Sequence, residues 1–146
     1  MADAARAIII ENDKMLLMHR NKDGKEYFTL VGGRVNGQET PEQALVREIK
    51  EETGLDLTSC RLVYVEDHAA PHNRQYIFLC QVAPHGAIAI QDTSEESLLN
   101  KLSTNLHEPL WVNVSLFPGL SFLTMELQKA IVTALKKGFP DAPVKL

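Results

Sequence analysis

Apolar residues cluster at 6–10 and again at 15–19, and the polar run Asn12-Asp13-Lys14 separates them. Two short strands joined as a hairpin are predicted there. Lys22-Asp23-Gly24-Lys25 reads as a second turn, and the β-prone stretch 27–31 stops at Gly32-Gly33. Residues 34–39 read as a loop. Thr40-Pro41-Glu42-Gln43 carries the marks of a helix start: an N-cap hydroxyl, proline at the first helical position, and a glutamine placed to close a capping box. The helix is expected over 41–53, ended by Gly54 in the left-handed conformation. Strands are predicted at 61–67, 75–82 and 87–90. A polar stretch at 91–96 leads to a short helix at 95–102 and a short strand at 111–114. Phe122, Leu123, Leu127, Ala130, Ile131, Ala134 and Leu135 mark one face of a helix over 121–137. Strands with a helix inserted among them place the chain in the α+β or mixed α/β class.

A length of 146 residues suits one domain over 1–146, and 45% hydrophobic with 23% charged residues is ordinary for a soluble globular protein. The net charge of −4 argues against a nucleic-acid polymer as partner, because backbone binders carry a basic excess. A nucleotide substrate is compatible with it, since a divalent cation offsets acidic groups locally. Cys60 and Cys80 form no CxxC pair and read as two small hydrophobes in a reducing compartment. The apolar run 7–10 is too short for a signal h-region or a membrane span, so no membrane partner and a cytoplasmic location are expected.

Specific chemistry concentrates in 33–55. Glu48, Glu51 and Glu52 lie at i, i+3 and i+4 and so share a helix face, where like charges repel. A hard cation reverses that cost: Mg²⁺ takes carboxylate oxygens, keeps waters that become nucleophiles, and clamps phosphate oxygens. Gly32, Gly33 and Gly37 let the preceding loop fold back and bring its backbone close to a ligand. Arg47 stands beside the acidic face, where it either pairs with Glu39 to pin the loop or touches a phosphate.

The segment Gly33-x5-Glu39-x7-Arg47-Glu48-Ile49-x-Glu51-Glu52-x-Gly54-Leu55 resembles the complete Nudix signature at every defined position. The resemblance implies an α/β/α sandwich with a mixed sheet and a catalytic loop–helix–loop that holds Mg²⁺, with Mn²⁺ as a substitute. It assigns Glu48, Glu51 and Glu52 as metal ligands, with Glu48 or Glu52 as general base. Gly33 would offer its carbonyl near the metal, and Glu39 and Arg47 would orient loop and helix. The implied reaction is in-line attack of a metal-activated water on a phosphoanhydride in a nucleoside diphosphate linked to another group. ADP-ribose or another nucleotide sugar, a dinucleoside polyphosphate and a (d)NTP all fit the same helix.

Outside the signature, Val31 stands where a proline often precedes the two glycines. Glu95, Glu96 and Glu108 are candidates for an extra acid, although the first two also read as first-turn helix charges. Arg20 and Arg34 are candidates for phosphate contact, and Tyr27 and Phe28 for lining a nucleoside pocket, only one of which can face a given side of a strand. Trp111 reads as a packing residue. The five histidines show no metal-ligand spacing. His68 to Arg74 reads as a loop, and its Pro71, sixteen residues past Leu55, resembles the pattern in ADP-ribose-cleaving members. Two further classes compete with the hydrolase: a Nudix-fold nucleotide-binding regulatory module without turnover, and an interaction domain. The intact acid cluster disfavours the first, and no feature supports the second. A homodimer is compatible with exposed sheet edges.

Overall fold

The computed structural model describes residues 3–67, 74–88 and 105–146. Its strands are β1 (Ala4–Glu11), β2 (Lys14–Lys22), β3 (Lys25–Arg34), β4 (Leu57–Asp67), β5 (Arg74–Val82), β6 (Asn105–Asn113) and β7 (Val144–Lys145). Helix α1 (Pro41–Thr53) follows β3, and α2 (Met125–Lys137) follows a 3₁₀ turn at Val114–Gly119. The strands form one mixed sheet in the order β6-β2-β3-β1-β5-β4-β7, with β1 parallel to β5 and antiparallel to β3.

Central strand β1 is buried on both faces, as a strand between two layers must be. Ala5, Ala7 and Ile9 pack with Ala44, Leu45 and Ile49 of α1. Ile8 points the other way and packs with Leu127 and Ile131 of α2. The sheet thus lies between the two helices, as the expected sandwich requires. Leu45 and Ile49 are completely buried, each worth roughly 1.5–3 kcal/mol. That burial, together with the capped ends of the helix, seats α1 on the sheet.

The local signals for α1 hold in detail. Thr40 caps the helix, its Oγ1 accepting from Gln43 N at 3.1 Å while Gln43 Oε1 accepts from Thr40 N at 2.9 Å. Gly54 ends it at φ 80°. In the first hairpin Asn12 and Asp13 both take positive φ, and in the second Asp23 and Gly24 do the same, the backbone of a two-residue turn matched to strand twist.

Three expectations need correction. The last helix begins at Met125, not at 121, because Ser121 to Leu123 run extended beside β3. Strand β1 leaves β3 after the Ala7–Val31 pair, so the backbone of Phe28 needs other partners. It finds them in Ser121 O and Leu123 N, at 2.8 and 3.0 Å. The predicted strand at 111–114 is the end of β6, which pairs with β2 along its whole length, and Val114 already belongs to the 3₁₀ turn. Residues 87 and 88 take no regular structure, and the rest of the predicted strand 87–90, like the helix at 95–102, lies outside the described residues. Among the described residues no helix is long and apolar enough to cross a membrane.

Candidate active site

The site forms where β3 hands over to α1. Gly32 has φ 135°, and a Cβ there would lie 2.1 Å from the carbonyl oxygen of Ala5 on β1, so the sheet itself demands glycine. Its N–H donates to Oε1 of Glu52 at 2.7 Å, and its carbonyl accepts from Nη1 of Arg6 at 2.9 Å. Gly33 comes next. A Cβ on it would meet Cδ, Oε2 and Oε1 of Glu48 at 2.6, 2.7 and 2.8 Å. Absence of a side chain is what lets the Glu48 carboxylate rest against the backbone of Gly33.

Arg47 closes the loop. Its Nε and Nη2 donate to Oε2 and Oε1 of Glu39 at 2.8 and 2.9 Å, the two-pronged geometry that a guanidinium offers a carboxylate. Nη2 also donates to the Arg34 carbonyl at 3.0 Å. Nη1 donates to Glu48 Oε1 at 2.9 Å and reaches Glu51 Oε2 at 3.5 Å. Of the two roles left open by sequence, pairing with Glu39 is the one seen. The hydrogen bonds from Arg47 and from the Asn36 amide hold the Glu39 carboxyl down to about 2, and Glu39 in turn raises the guanidinium.

The three helix acids do not share one environment. Glu48 and Glu51 are drawn together by Arg47, whereas Glu52 turns to the sheet, is 2% exposed, and holds the Gly32 amide. Among the described residues no three acidic, histidine or cysteine side chains converge closely enough to hold a metal by themselves. Mg²⁺ does not demand such a cage: it takes one or two carboxylates, keeps waters and completes its shell from substrate phosphates. The oxygen-only donors Glu48 and Glu51, beside a Gly33 backbone that a Cβ would obstruct, fit a hard divalent ion of that kind.

A second group lies on the same face of the sheet. Tyr27, Arg20 and His107 face one another across β3, β2 and β6. Arg20 lies over the Tyr27 ring, 5.6 Å from its centroid, and donates to Asn105 Oδ1 at 2.9 Å. Among the described residues, Nε of Arg20 and Oγ1 of Thr29 are buried without a hydrogen-bond partner, both on the α1 side. Burial, then the charges of Arg20 and Arg6, push His107 down to about 4. Tyr27, Thr29, Val31 and Gly33 form a strip along β3 from this row to the acid helix, about 20 Å at a strand's rise per residue.

Other predicted positions fall elsewhere. Phe28 faces the α2 side, packed on His19, so of the aromatic pair only Tyr27 looks toward Arg20. Glu108 is on that far face too, with its Oε1 3.5 Å from His19 Nδ1. Arg34 is exposed at the end of β3, where its carbonyl rather than its side chain serves the loop. Glu95, Glu96 and Pro71 lie outside the described residues. Trp111 is a packing residue, as read, stacked with His85. Sequence reasoning missed Arg6, Thr29, Asn105 and His107, whose places depend on strand register; only the pairing of β6 with β2 brings the last two to Arg20.

The NUDIX domain profile matches residues 1–120. A NAD-capped RNA hydrolase NudC from Vibrio atlanticus is 29% identical over 115 residues, 78% of this chain and 38% of that protein. An ADP-ribose pyrophosphatase from Methanocaldococcus jannaschii is 53% identical over 55 residues, 37% of this chain and 32% of that protein. The chain thus spans well under two thirds of these relatives. The solution structure of the Escherichia coli ORF135 protein superposes with a TM-score of 0.68 at 21% identity, covering 94% of this chain and 92% of that one, a likeness of fold. With the profile spanning most of the sequence and the signature's loop and helix assembled as described, the chain belongs to the Nudix hydrolase family.

Proposed function

We propose that this chain hydrolyses a phosphoanhydride bond in a nucleoside diphosphate linked to another group, with Mg²⁺ as the working ion and Mn²⁺ as a substitute. One observation carries the proposal: Glu48 and Glu51 are gathered by Arg47 beside a side-chain-free Gly33, while Glu39 fixes Arg47 from behind. When bound, the ion would supply charge neutralisation at the phosphates and a lowered pKa for an attacking water. The residues do the rest. Glu48 and Glu51 offer carboxylate oxygens to the ion, and Glu48 or Glu52 takes a water's proton. Glu52 accepts from the Gly32 N–H and Arg6 donates to the Gly32 carbonyl, and together they fix the backbone that faces Glu48. The strip from Gly33 to Tyr27 leads toward Arg20, whose guanidinium suits a phosphate or the polar edge of a base.

Substrate range is the finer part of the proposal. Relatives are named for ADP-ribose, 8-oxo-dGTP, CTP and NAD-capped RNA, which have a nucleotide pyrophosphate in common. The capped-RNA name belongs to a relative, yet it means that net charge alone does not exclude a polymer-borne substrate here. A product-resolved screen tests the proposal: the chain with Mg²⁺ against ADP-ribose, nucleotide sugars, dinucleoside polyphosphates, (d)NTPs and a NAD-capped oligoribonucleotide. Release of a nucleoside monophosphate with a second phosphate-bearing product is expected from one class. Silence across the panel, with Mg²⁺ or Mn²⁺ at mildly alkaline pH, would overturn it.

A further inference from the structure

Cys60 on β4 and Cys80 on β5 are direct partners across an antiparallel pair, within the regular stretch between two irregularities of register, at Leu57/Ser59 and Leu62/Tyr64. Their sulfurs stand 3.2 Å apart, with the Cys80 thiol donating to Cys60. Facing residues of an antiparallel pair have Cα atoms about 4.5–5.5 Å apart, inside the range of about 4.4–6.8 Å that a disulfide spans. Both are free thiols, but their surroundings differ: Cys60 is exposed and Cys80 is buried. A core-filling role accounts for Cys80, which packs with Ala44, Leu45 and Ile49 under α1. It does not account for Cys60, which is exposed.

We propose that Cys60 and Cys80 form a peroxide-reactive thiol pair that closes to an intramolecular disulfide between β4 and β5. Cys60, the accessible sulfur, attacks the peroxide as thiolate: an S–O bond forms, the O–O bond breaks, and hydroxide leaves. Cys80 then attacks the sulfur of the resulting sulfenic acid, forming the S–S bond and releasing water. In sum, two thiols and one hydrogen peroxide give one disulfide and two waters; both sulfurs are oxidised and the peroxide oxygens are reduced. The division of labour fits the electrostatics. The hydrogen bond from Cys80 lowers the Cys60 thiol, whereas that same bond and then burial raise Cys80. Cys60 is thus the readier thiolate and Cys80 the resolving thiol. Closing a loop between residues 20 positions apart would also restrict the unfolded chain.

The experiment uses the full chain, reduced, desalted and exposed to hydrogen peroxide, then alkylated under denaturing, non-reducing conditions and weighed. The expected product has lost two hydrogens, takes no alkylating agent at either cysteine, and yields one peptide pair joining Cys60 to Cys80. Its Tm rises by roughly 5–10 °C and returns on reduction. Cys60→Ser, at an exposed position, should leave Cys80 alkylatable after the same treatment. Cys80→Ser should stop at a Cys60 sulfenic acid that dimedone captures. Two alkylatable thiols in the treated wild type would overturn the proposal. So would a Cys60 sulfinic acid beside an intact Cys80, or a dimer linked through Cys60.

Discussion

The amide of Gly32 and the carboxylate of Glu52 are joined at 2.7 Å across twenty positions of sequence, and both are buried. Glu52 is therefore a positioning group for the loop, whatever else it does. Losing an acceptor for a buried N–H costs about 1–3 kcal/mol. Glu52→Ala is expected to lower Tm by several degrees, whereas Glu52→Gln keeps an acceptor oxygen and should recover most of that loss. Thermal unfolding of the two variants measures the positioning part. Activity that stays low in a well-folded Glu52→Gln then isolates what the charge contributes.

Adjacent glycines should respond differently to the same substitution. A Cβ at Gly32 meets backbone, the Ala5 carbonyl, and needs a positive φ. The nearest atoms a Cβ at Gly33 would meet are the end of the Glu48 side chain. Gly32→Ala is expected to destabilise the chain severely. Gly33→Ala should fold with nearly the wild-type Tm yet lose kcat at least tenfold, because the Glu48 carboxylate is pushed off its place. Paired Tm and steady-state kinetics check this; an active Gly33→Ala would mean that the contact is not needed for turnover.

How much of this was readable beforehand follows from which interactions are local. Thr40 and Gln43 are three residues apart, and Gly54 follows its helix directly, so α1 and both its ends were legible. Glu39 and Arg47 are eight apart, close enough for their pairing to be one of two stated options. The Gly32–Glu52 bond and the Arg20–His107 row were not legible, because they depend on how distant strands align. The start of α2 was misplaced for a similar reason. Phe122 sits at helical spacing, but the open edge of β3 at Phe28 captures its neighbours. Strand β7 pairs with Tyr64 and Val65 from the far end of the chain, and two residues carry no periodicity to announce it.

Glu39 links the site to acid stability. Its carboxyl is held at about 2, first by the Arg47 hydrogen bond and then by the Asn36 amide, against an ordinary value of 4.5. A folded value below the unfolded one gives stabilisation that is complete above 4.5 and lost as pH falls toward 2. Urea midpoints measured across that window should fall for the wild type and vary less for Glu39→Gln. Parallel curves would remove Glu39 from the account.

His107 acts in a higher window. Burial, with the charges of Arg20 and Arg6, lowers it from 6.5 to about 4. The unfolded chain takes up this proton first as pH drops, so stability is full above 6.5 and declines toward 4. His107→Asn should flatten that decline, as read by Tm against pH. Unchanged slopes would show that His107 is not held neutral.

The acid helix as a catalyst is tested most directly at Glu51, whose side chain is 37% exposed and, among the described residues, supports no buried bond of the kind Glu52 makes. The measurement is kcat of wild type and Glu51→Gln side by side, with Mg²⁺ and the substrate class that the product screen identifies. The account predicts a fall of roughly a hundredfold or more, with Tm unchanged and the nucleotide still bound. Equal turnover in the two proteins would contradict it, as would a wild type that binds nucleotide tightly and releases no product, the behaviour of a regulatory binding module.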